Sequence, residues 1–287
     1  MIFVLYKNSG CHSGRALRKK LSELHTDEVV KGGYPKRFAK ILDKEGSPRV
    51  VINMGTTDDS DYSGLMLNTQ DMVRASSNKK AARRIFVEEG VPSPDLFMSA
   101  GAVSKDALPV IGRTSYHSKG NGFWFCKTLT QVKAASDAGA THFLKFIPNT
   151  REYRVHTFLK RKYWEDRPDE LTHEHYVSTK ISEKVWTADG EPDPSEPQKN
   201  HEFGWTFLGP QDRREEELDV VRHVAKQAIA ALGMDFGAVD VMYRIRTKQT
   251  FVLEVNSTPS LADEQADTCE RYAKRIIKTL TTAEEED

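Results

Sequence analysis

The carboxyl-terminal third of the chain constrains the fold most, because a long amphipathic helix runs directly into two apolar segments. Apolar residues recur at helical spacing over 215–232, and Gly233 follows at the position where helices often end. The segments 236–243 and 250–254 flank the polar run ArgIleArgThrLysGln and predict an antiparallel hairpin centred near Thr247. This stretch therefore predicts one helix and two paired strands.

The predicted hairpin brings three oxygen-bearing side chains together. A turn centred near Thr247 places Asp240 opposite Glu254, and cross-strand partners point to the same face of a sheet. Asn256 stands two residues beyond Glu254, so the two-residue period of a strand places it on that face as well. Two carboxylates and an amide oxygen are thus expected to converge.

An all-oxygen cluster of this kind is typical of a site for a hard cation. Mg²⁺ commonly uses one or two carboxylates while phosphate oxygens and water complete its octahedron, so a nucleotide phosphate is the natural partner. The alternative is a solvated strand face with incidental acids. The metal site is favoured because Glu254 stands in the apolar run PheValLeuGluVal, where an unpaired charge would be costly.

Strands and helices alternate through the rest of the chain, which predicts mixed α/β structure. We expect a small α/β unit over 1–75, a second mixed segment over 76–145 and a third over 146–287, with an exposed loop rich in Pro, Asp and Glu at 187–200. The further predicted strands are 2–6, 50–53, 108–113, 123–126, 142–147, 153–159 and 175–181, and the further predicted helices are 13–24, 76–89, 131–138 and 263–280.

Composition excludes several classes of protein. The 287 residues contain 42 Lys and Arg against 42 Asp and Glu, and this zero balance argues against a nucleic-acid-binding protein. Three widely spaced cysteines suggest neither a disulfide framework nor a zinc site. The amino terminus has no basic segment before its short apolar run, and no apolar stretch approaches the length of a membrane span. We therefore expect a cytoplasmic protein.

The spacing of Asp240, Glu254 and Asn256 in GAVDV and FVLEVNSTPSL resembles the carboxyl-terminal signature of ATP-grasp carboxylate–amine ligases. The resemblance covers roughly residues 76–280 and is strongest to ribosomal-protein glutamate ligases and phage-encoded ATP-grasp ligases. It implies an α/β (α+β) fold in which two mixed lobes clasp ATP after a small amino-terminal domain. It also implies ATP and Mg²⁺ as cofactors, with Mn²⁺ as an alternative metal held by the same three residues.

Upstream segments that resemble the nucleotide-binding parts of this family occur in the family's order. The helix start SerSerAsnLysLys resembles the segment whose lysine reaches phosphate, which implies Lys79, with Lys80 as the competing candidate and a solvated basic helix start as the alternative. Arg113 stands where the family has a second phosphate-binding lysine. The loop 117–124 resembles the glycine-rich flap, and otherwise would be an ordinary hairpin turn. The residues that the resemblance assigns to the nucleotide are Lys79, Arg113, Gly120, Gly122, Lys145, Phe146, Ile147 and Glu152.

Three further residues are implied to act on the substrates. Arg154 resembles the arginine that faces the acyl phosphate, where a fixed cation would stabilise developing negative charge, and its alternative is a surface pair with Glu152. Lys180 and Asn200 resemble polar residues that the family places near phosphate and substrate.

The resemblance implies that ATP phosphorylates a carboxylate to an acyl phosphate, which an amine then attacks to form an amide. The carboxylate can belong to a small molecule, an amino acid, a peptide or a protein. Two other functions stay open: a kinase that transfers phosphate to a hydroxyl, and a nucleotide-binding module that has lost turnover. The sequence also leaves open whether the protein is a monomer or a homodimer.

Overall fold

The computed structural model describes residues 1–116, 122–148, 150–192, 197–199, 201–210, 214–261 and 267–281. The strands within these ranges form three sheets that follow one another along the chain. The division into domains over 1–75, 76–145 and 146–287 stays a prediction. No helix in the described ranges is long and apolar enough to cross a lipid bilayer.

The first sheet is parallel, with strand order β2-β1-β3-β4. Its strands are β1 (Ile2–Tyr6), β2 (Val30–Gly33), β3 (Val50–Met54) and β4 (Leu65–Leu67), and the helices of this segment are α1 (His12–Leu24), α2 (Pro35–Glu45) and α3 (Gln70–Ser77). Burial of β1 and β3 along their whole length is typical of strands covered on both faces. The sequence predicted β1, α1 and β3 but not β2, whose two glycines weaken strand propensity.

The second sheet is antiparallel, with strand order β5-β8-β6-β7. This segment contains α4 (Lys79–Glu88), β5 (Leu96–Phe97), β6 (Val110–Arg113), β7 (Phe123–Cys126), α5 (Leu129–Asp137) and β8 (His142–Lys145). Val110, Cys126 and Phe143 pack with α5 in a small apolar core. Because side chains alternate along a strand, Ile111 and Arg113 lie on the opposite face of this sheet.

The third sheet is antiparallel, with strand order β11-β10-β9-β12-β13. Its segment contains β9 (Thr150–Leu159), α6 (Lys162–Glu165), β10 (Tyr176–Trp186), β11 (Trp205–Leu208), α7 (Glu215–Ala231), β12 (Phe236–Arg244), β13 (Gln249–Asn256) and α8 (Thr268–Thr281). Val155, Val239 and Val255 lie in the core with the buried residues of α7, Val221 and Ile229 among them. The residues that alternate with these valines include Arg154, Asp240 and Glu254; we call this part of the sheet the polar face, and the candidate site lies on it.

A β-bulge in the predicted hairpin decides which residues reach that polar face. Val241 pairs with Val252, whereas Asp240 pairs with Glu254, so Leu253 is the extra residue. Without the bulge Glu254 would pair with Val239, which is fully buried in the core. The predicted opposition of Asp240 and Glu254 is confirmed, and the bulge is the reason for it.

The first and third sheets share one apolar core, to which α1 and α8 both contribute. Polar contacts join them as well: the Asn68 main-chain N–H donates to Asp235 Oδ2 at 2.6 Å, and the Leu261 N–H donates to Ser13 Oγ at 3.1 Å. The turn that follows β13 is thereby held against the start of α1. The contact of Asn68 likewise holds Asp235, the residue before β12, against the first segment.

Candidate active site

Asp240, Glu254 and Asn256 lie together on the polar face, as the sequence predicted. Asp240 and Glu254 are direct cross-strand partners, and Asn256 Nδ2 donates to Glu254 Oε1 at 3.0 Å. This group contains two acids and an amide, and no cluster of three or more His, Cys, Asp or Glu side chains suited to a metal occurs in the described ranges. The donor set is entirely oxygen, so it fits Mg²⁺ if phosphate and water supply the remaining ligands.

Lys79 neutralises Glu254 from a different part of the chain. It is the first residue of α4, whose start is capped by Asn78 Oδ1 accepting from the Ala81 N–H at 3.1 Å. The Lys79 Nζ lies 3.1 Å from Glu254 Oε2. Burial alone would raise the pKa of Glu254, but Lys79, Asn256 and Arg154 lower it well below its ordinary range.

The structure separates Lys79 from its competitor Lys80. Lys80 Nζ donates to the carbonyl oxygens of Thr141 at 3.0 Å and Met98 at 3.3 Å, within the second segment. Lys79 is the lysine that reaches the acidic group. We therefore retain Lys79 as the candidate for phosphate binding.

Arg154 is fixed against Asp240 by two parallel hydrogen bonds. Its Nε donates to Asp240 Oδ1 at 2.7 Å and its Nη2 to Asp240 Oδ2 at 2.8 Å, the fork geometry that only arginine offers a carboxylate. The guanidinium also lies 4.2 Å from the centre of the Phe207 ring. Burial disfavours its charge, yet Asp240 more than offsets this and keeps the pKa of Arg154 above its ordinary value.

The alternative of a surface pair between Arg154 and Glu152 is wrong. Glu152 pairs instead with Lys184, at 2.7 Å, and more distantly with Lys199, at 3.9 Å. Burial lowers the pKa of Lys199, and Lys184 lowers it further while Glu152 opposes the shift. Sequence reasoning missed Lys184, although the alternation of Lys180, Ser182 and Lys184 along β10 marks one polar face.

Lys180 is a residue of β10, and its side chain contacts the start of α8. Its Nζ donates to Thr268 Oγ1 at 2.6 Å and pairs with Asp267 at 3.2 Å. Nearby on β9, the His156 Nδ1 lies 2.9 Å from the Tyr272 hydroxyl. Burial, with smaller effects of Arg154 and Lys180, lowers the pKa of His156 to about 3, so this ring is neutral at pH 7.

Arg113 ends β6 on the face of the second sheet that lies opposite the α5 core. Burial lowers its pKa to about 10, while Glu254 opposes the shift, so the guanidinium is within electrostatic reach of the acidic group. Gly122, with φ of 62°, begins the return of the hairpin, where a Cβ would lie 2.7 Å from Thr114 Oγ1. Gly120 and Asn200, two other residues implied by the resemblance, lie outside the described residues.

Three of the residues that the resemblance assigns to the nucleotide, at positions 145–147, make contacts within the protein. Lys145 Nζ donates to the carbonyl oxygens of Ala107 at 2.8 Å and Leu108 at 3.3 Å. The Phe146 N–H donates to the Pro109 carbonyl at 3.1 Å, and its ring meets the Phe125 ring edge-on at 4.9 Å. Ile147 is half-buried beside them. Lys145 therefore braces the preceding turn, and its role in nucleotide binding stays a prediction together with those of Phe146 and Ile147.

No protein-family model matches this chain, and no curated protein sequence matches it. Solved structures do match. The chain is 13% identical to biotin carboxylase from Campylobacter jejuni, with 99% of this chain and 72% of that chain covered and a TM-score of 0.65. It is 12% identical to D-alanine–D-alanine ligase from Bacillus anthracis complexed with ATP, with 97% of both chains covered and a TM-score of 0.65.

A third similar structure is the ATP-grasp ligase PsnB complexed with a minimal precursor, at 12% identity, with 96% of this chain and 98% of that chain covered and a TM-score of 0.64. Identities this low bear on the fold alone. The chain has the ATP-grasp fold, and the expected α/β (α+β) class is confirmed.

Proposed function

We propose that this protein is an ATP-dependent ligase that joins a carboxylate to an amine through an acyl phosphate. The observation that carries the proposal is the pairing of Lys79 with Glu254 and of Arg154 with Asp240 on one sheet face. Two cations and two acids held together in this way suit a polyphosphate that arrives with a divalent metal. The similar structures include two proteins named as ligases, one of them solved with ATP.

In this proposal the basic residues of the site bind phosphate oxygens once ATP has entered. Lys79 and Arg113 hold oxygens of the triphosphate, and Glu152 positions nucleotide or substrate from its place between Lys184 and Lys199. Asp240, Glu254 and Asn256 would hold Mg²⁺ or Mn²⁺, which when bound neutralises phosphate charge. Arg154 then faces the reacting carboxyl group, where a fixed cation stabilises the negative charge of the acyl phosphate and of the tetrahedral adduct.

The proposed reaction has two chemical steps, formation of the acyl phosphate and formation of the amide. A carboxylate oxygen attacks the terminal phosphorus of ATP, and ADP leaves as that oxygen becomes the bridge of the acyl phosphate. The amine nitrogen attacks the acyl carbon, the bond from carbon to the bridging oxygen breaks, and the nitrogen loses a proton. Phosphate therefore departs with one oxygen that began in the substrate carboxylate.

That oxygen provides the test. Amino acids and peptides are screened for ADP release with Mg²⁺ present, and the active carboxylate is then prepared with ¹⁸O. We expect labelled inorganic phosphate when ATP, Mg²⁺ and the amine are all present. Unlabelled phosphate would mean that water attacks ATP directly, a stable phosphorylated product would indicate a kinase, and binding of ATP with no ADP from any substrate would indicate a binding module. Each of these three results contradicts the proposal.

A further inference from the structure

Arg83 is a buried cation, and two of its guanidinium nitrogens receive no hydrogen-bond partner from the described residues. It lies on α4 one helical turn after Lys79, so the two side chains share a face of the helix. Arg83 is 6% exposed, and its Nε and Nη1 have no hydrogen-bond partner among the described residues. A buried guanidinium in this state is rare, because burying a charge without a partner is costly.

The charges around Arg83 show what it lacks. Burial lowers its pKa to about 10; Glu254 opposes this shift and Arg113 adds to it, so both groups are within electrostatic reach. Glu254 is already bound by Lys79 and Asn256. The start of α4 adjoins the end of β6, since the Lys79 main-chain N–H donates to the Ser115 carbonyl at 2.9 Å, and neither Arg83 nor Arg113 forms an ion pair with a carboxylate in the described ranges. The missing group is an anion.

We propose that Arg83 is a phosphate-binding residue, which together with Lys79 and Arg113 takes the polyphosphate of a nucleoside triphosphate. The inference rests on the proposed function only as far as ATP binding is concerned. A polyphosphate suits the site because it brings several negative charges to a place where positive charge is in excess. A single substrate carboxylate would leave one of the two arginines uncompensated.

Calorimetric titration with ATP, ADP and adenosine, each with Mg²⁺ present, tests the proposal. We expect Arg83→Gln and Arg83→Met to weaken ATP binding by about 10- to 100-fold, the range for loss of one charge-assisted hydrogen bond. Adenosine binding should not change, since adenosine carries no phosphate. Arg84→Gln is the matched control: it removes the same charge from the next residue, which is 60% exposed and pairs with Glu88 at 3.5 Å. Its ATP affinity should equal that of the wild type.

Thermal unfolding of the free protein separates ligand binding from a structural role. Arg83→Met removes an unpaired buried charge, so the unfolding temperature of the nucleotide-free variant should equal or exceed that of the wild type. A lower temperature, with ATP and adenosine affinities falling together, would make Arg83 structural and overturn the inference. So would an ATP affinity within threefold of wild type.

Titration of the wild-type protein distinguishes a failure of the Arg83 role from a failure of the proposed ligase function. Wild-type protein that binds ATP while both Arg83 variants bind it equally well refutes the role of Arg83 and leaves the proposed ligase intact. Wild-type protein that binds no ATP refutes both. If the Arg83 variants lose affinity for ATP but not for adenosine, and the protein proves to be a kinase, the role of Arg83 is supported and the proposed ligase function is refuted.

Discussion

Breaking the ion pair between Lys79 and Glu254 should destabilise the nucleotide-free protein as well as stop turnover. Glu254→Gln preserves side-chain volume but leaves the buried Lys79 ammonium with no carboxylate. Loss of one partner of a fully buried pair costs about 3–5 kcal/mol, and because the Glu254 side chain keeps 28% exposure we expect a smaller loss, about 2–3 kcal/mol. Catalysis should be abolished, since the substituted amide cannot neutralise a metal.

A double-mutant cycle isolates the pair. Urea unfolding is measured for wild type, Lys79→Met, Glu254→Gln and the double variant, and the coupling free energy is the part of the two single losses that the double variant does not show. We expect coupling of about 2 kcal/mol, because once both charges are gone neither is left buried alone. Each variant is measured without nucleotide or metal.

An exposed pair on the same helix provides the reference. Arg84 and Glu88 lie 3.5 Å apart with both side chains 60% exposed, and the cycle Arg84→Gln with Glu88→Gln should give coupling no larger than about 0.5 kcal/mol. If the Lys79 cycle gave a value as small as this reference, water would be screening the contact, and our reasoning that the two charges lie buried together would be refuted.

Three other perturbations have expected outcomes. Arg154→Ala should lower turnover by about 10² to 10³ with little change in ATP affinity, and equal losses in both would move Arg154 into the nucleotide site. Unfolded His156 takes a proton below its ordinary pKa near 6.5 whereas the folded form does so only near 3, so stability rises with pH across this window. Urea unfolding should therefore show wild type losing about 2 kcal/mol more than His156→Gln between pH 7 and pH 5, and parallel losses would contradict the assignment. Gly55→Ala, with φ of 86° and a Cβ 2.1 Å from Thr258 Oγ1, should lower the unfolding temperature more than Gly90→Ala, where φ is also positive and nothing lies within 4 Å; equal shifts would show that Thr258 moves aside freely.

The sequence predicted much of the third sheet because its signals are local. The helical spacing of apolar residues in α7 and the apolar runs of β12 and β13 are visible in neighbouring residues of the sequence. The opposition of Asp240 and Glu254 also followed from the position of the turn. The paired residues nearest the turn are centred half a residue before Thr247, however, and the predicted partners meet only because Leu253 is bulged. A bulge reflects the packing of both strand faces, so residue spacing alone does not reveal it.

The partners of the charged residues were decided by the tertiary structure. From the sequence, Lys79 was the implied phosphate ligand with Lys80 as its competitor, and Arg154 had a neighbour of opposite charge in Glu152. The fold instead brings α4 to β13 and sets β9 beside β12, which pairs Lys79 with Glu254 and Arg154 with Asp240. Periodicity fixes the face on which a side chain lies, but charge attraction has no period, so its partner depends on which elements the apolar cores bring together.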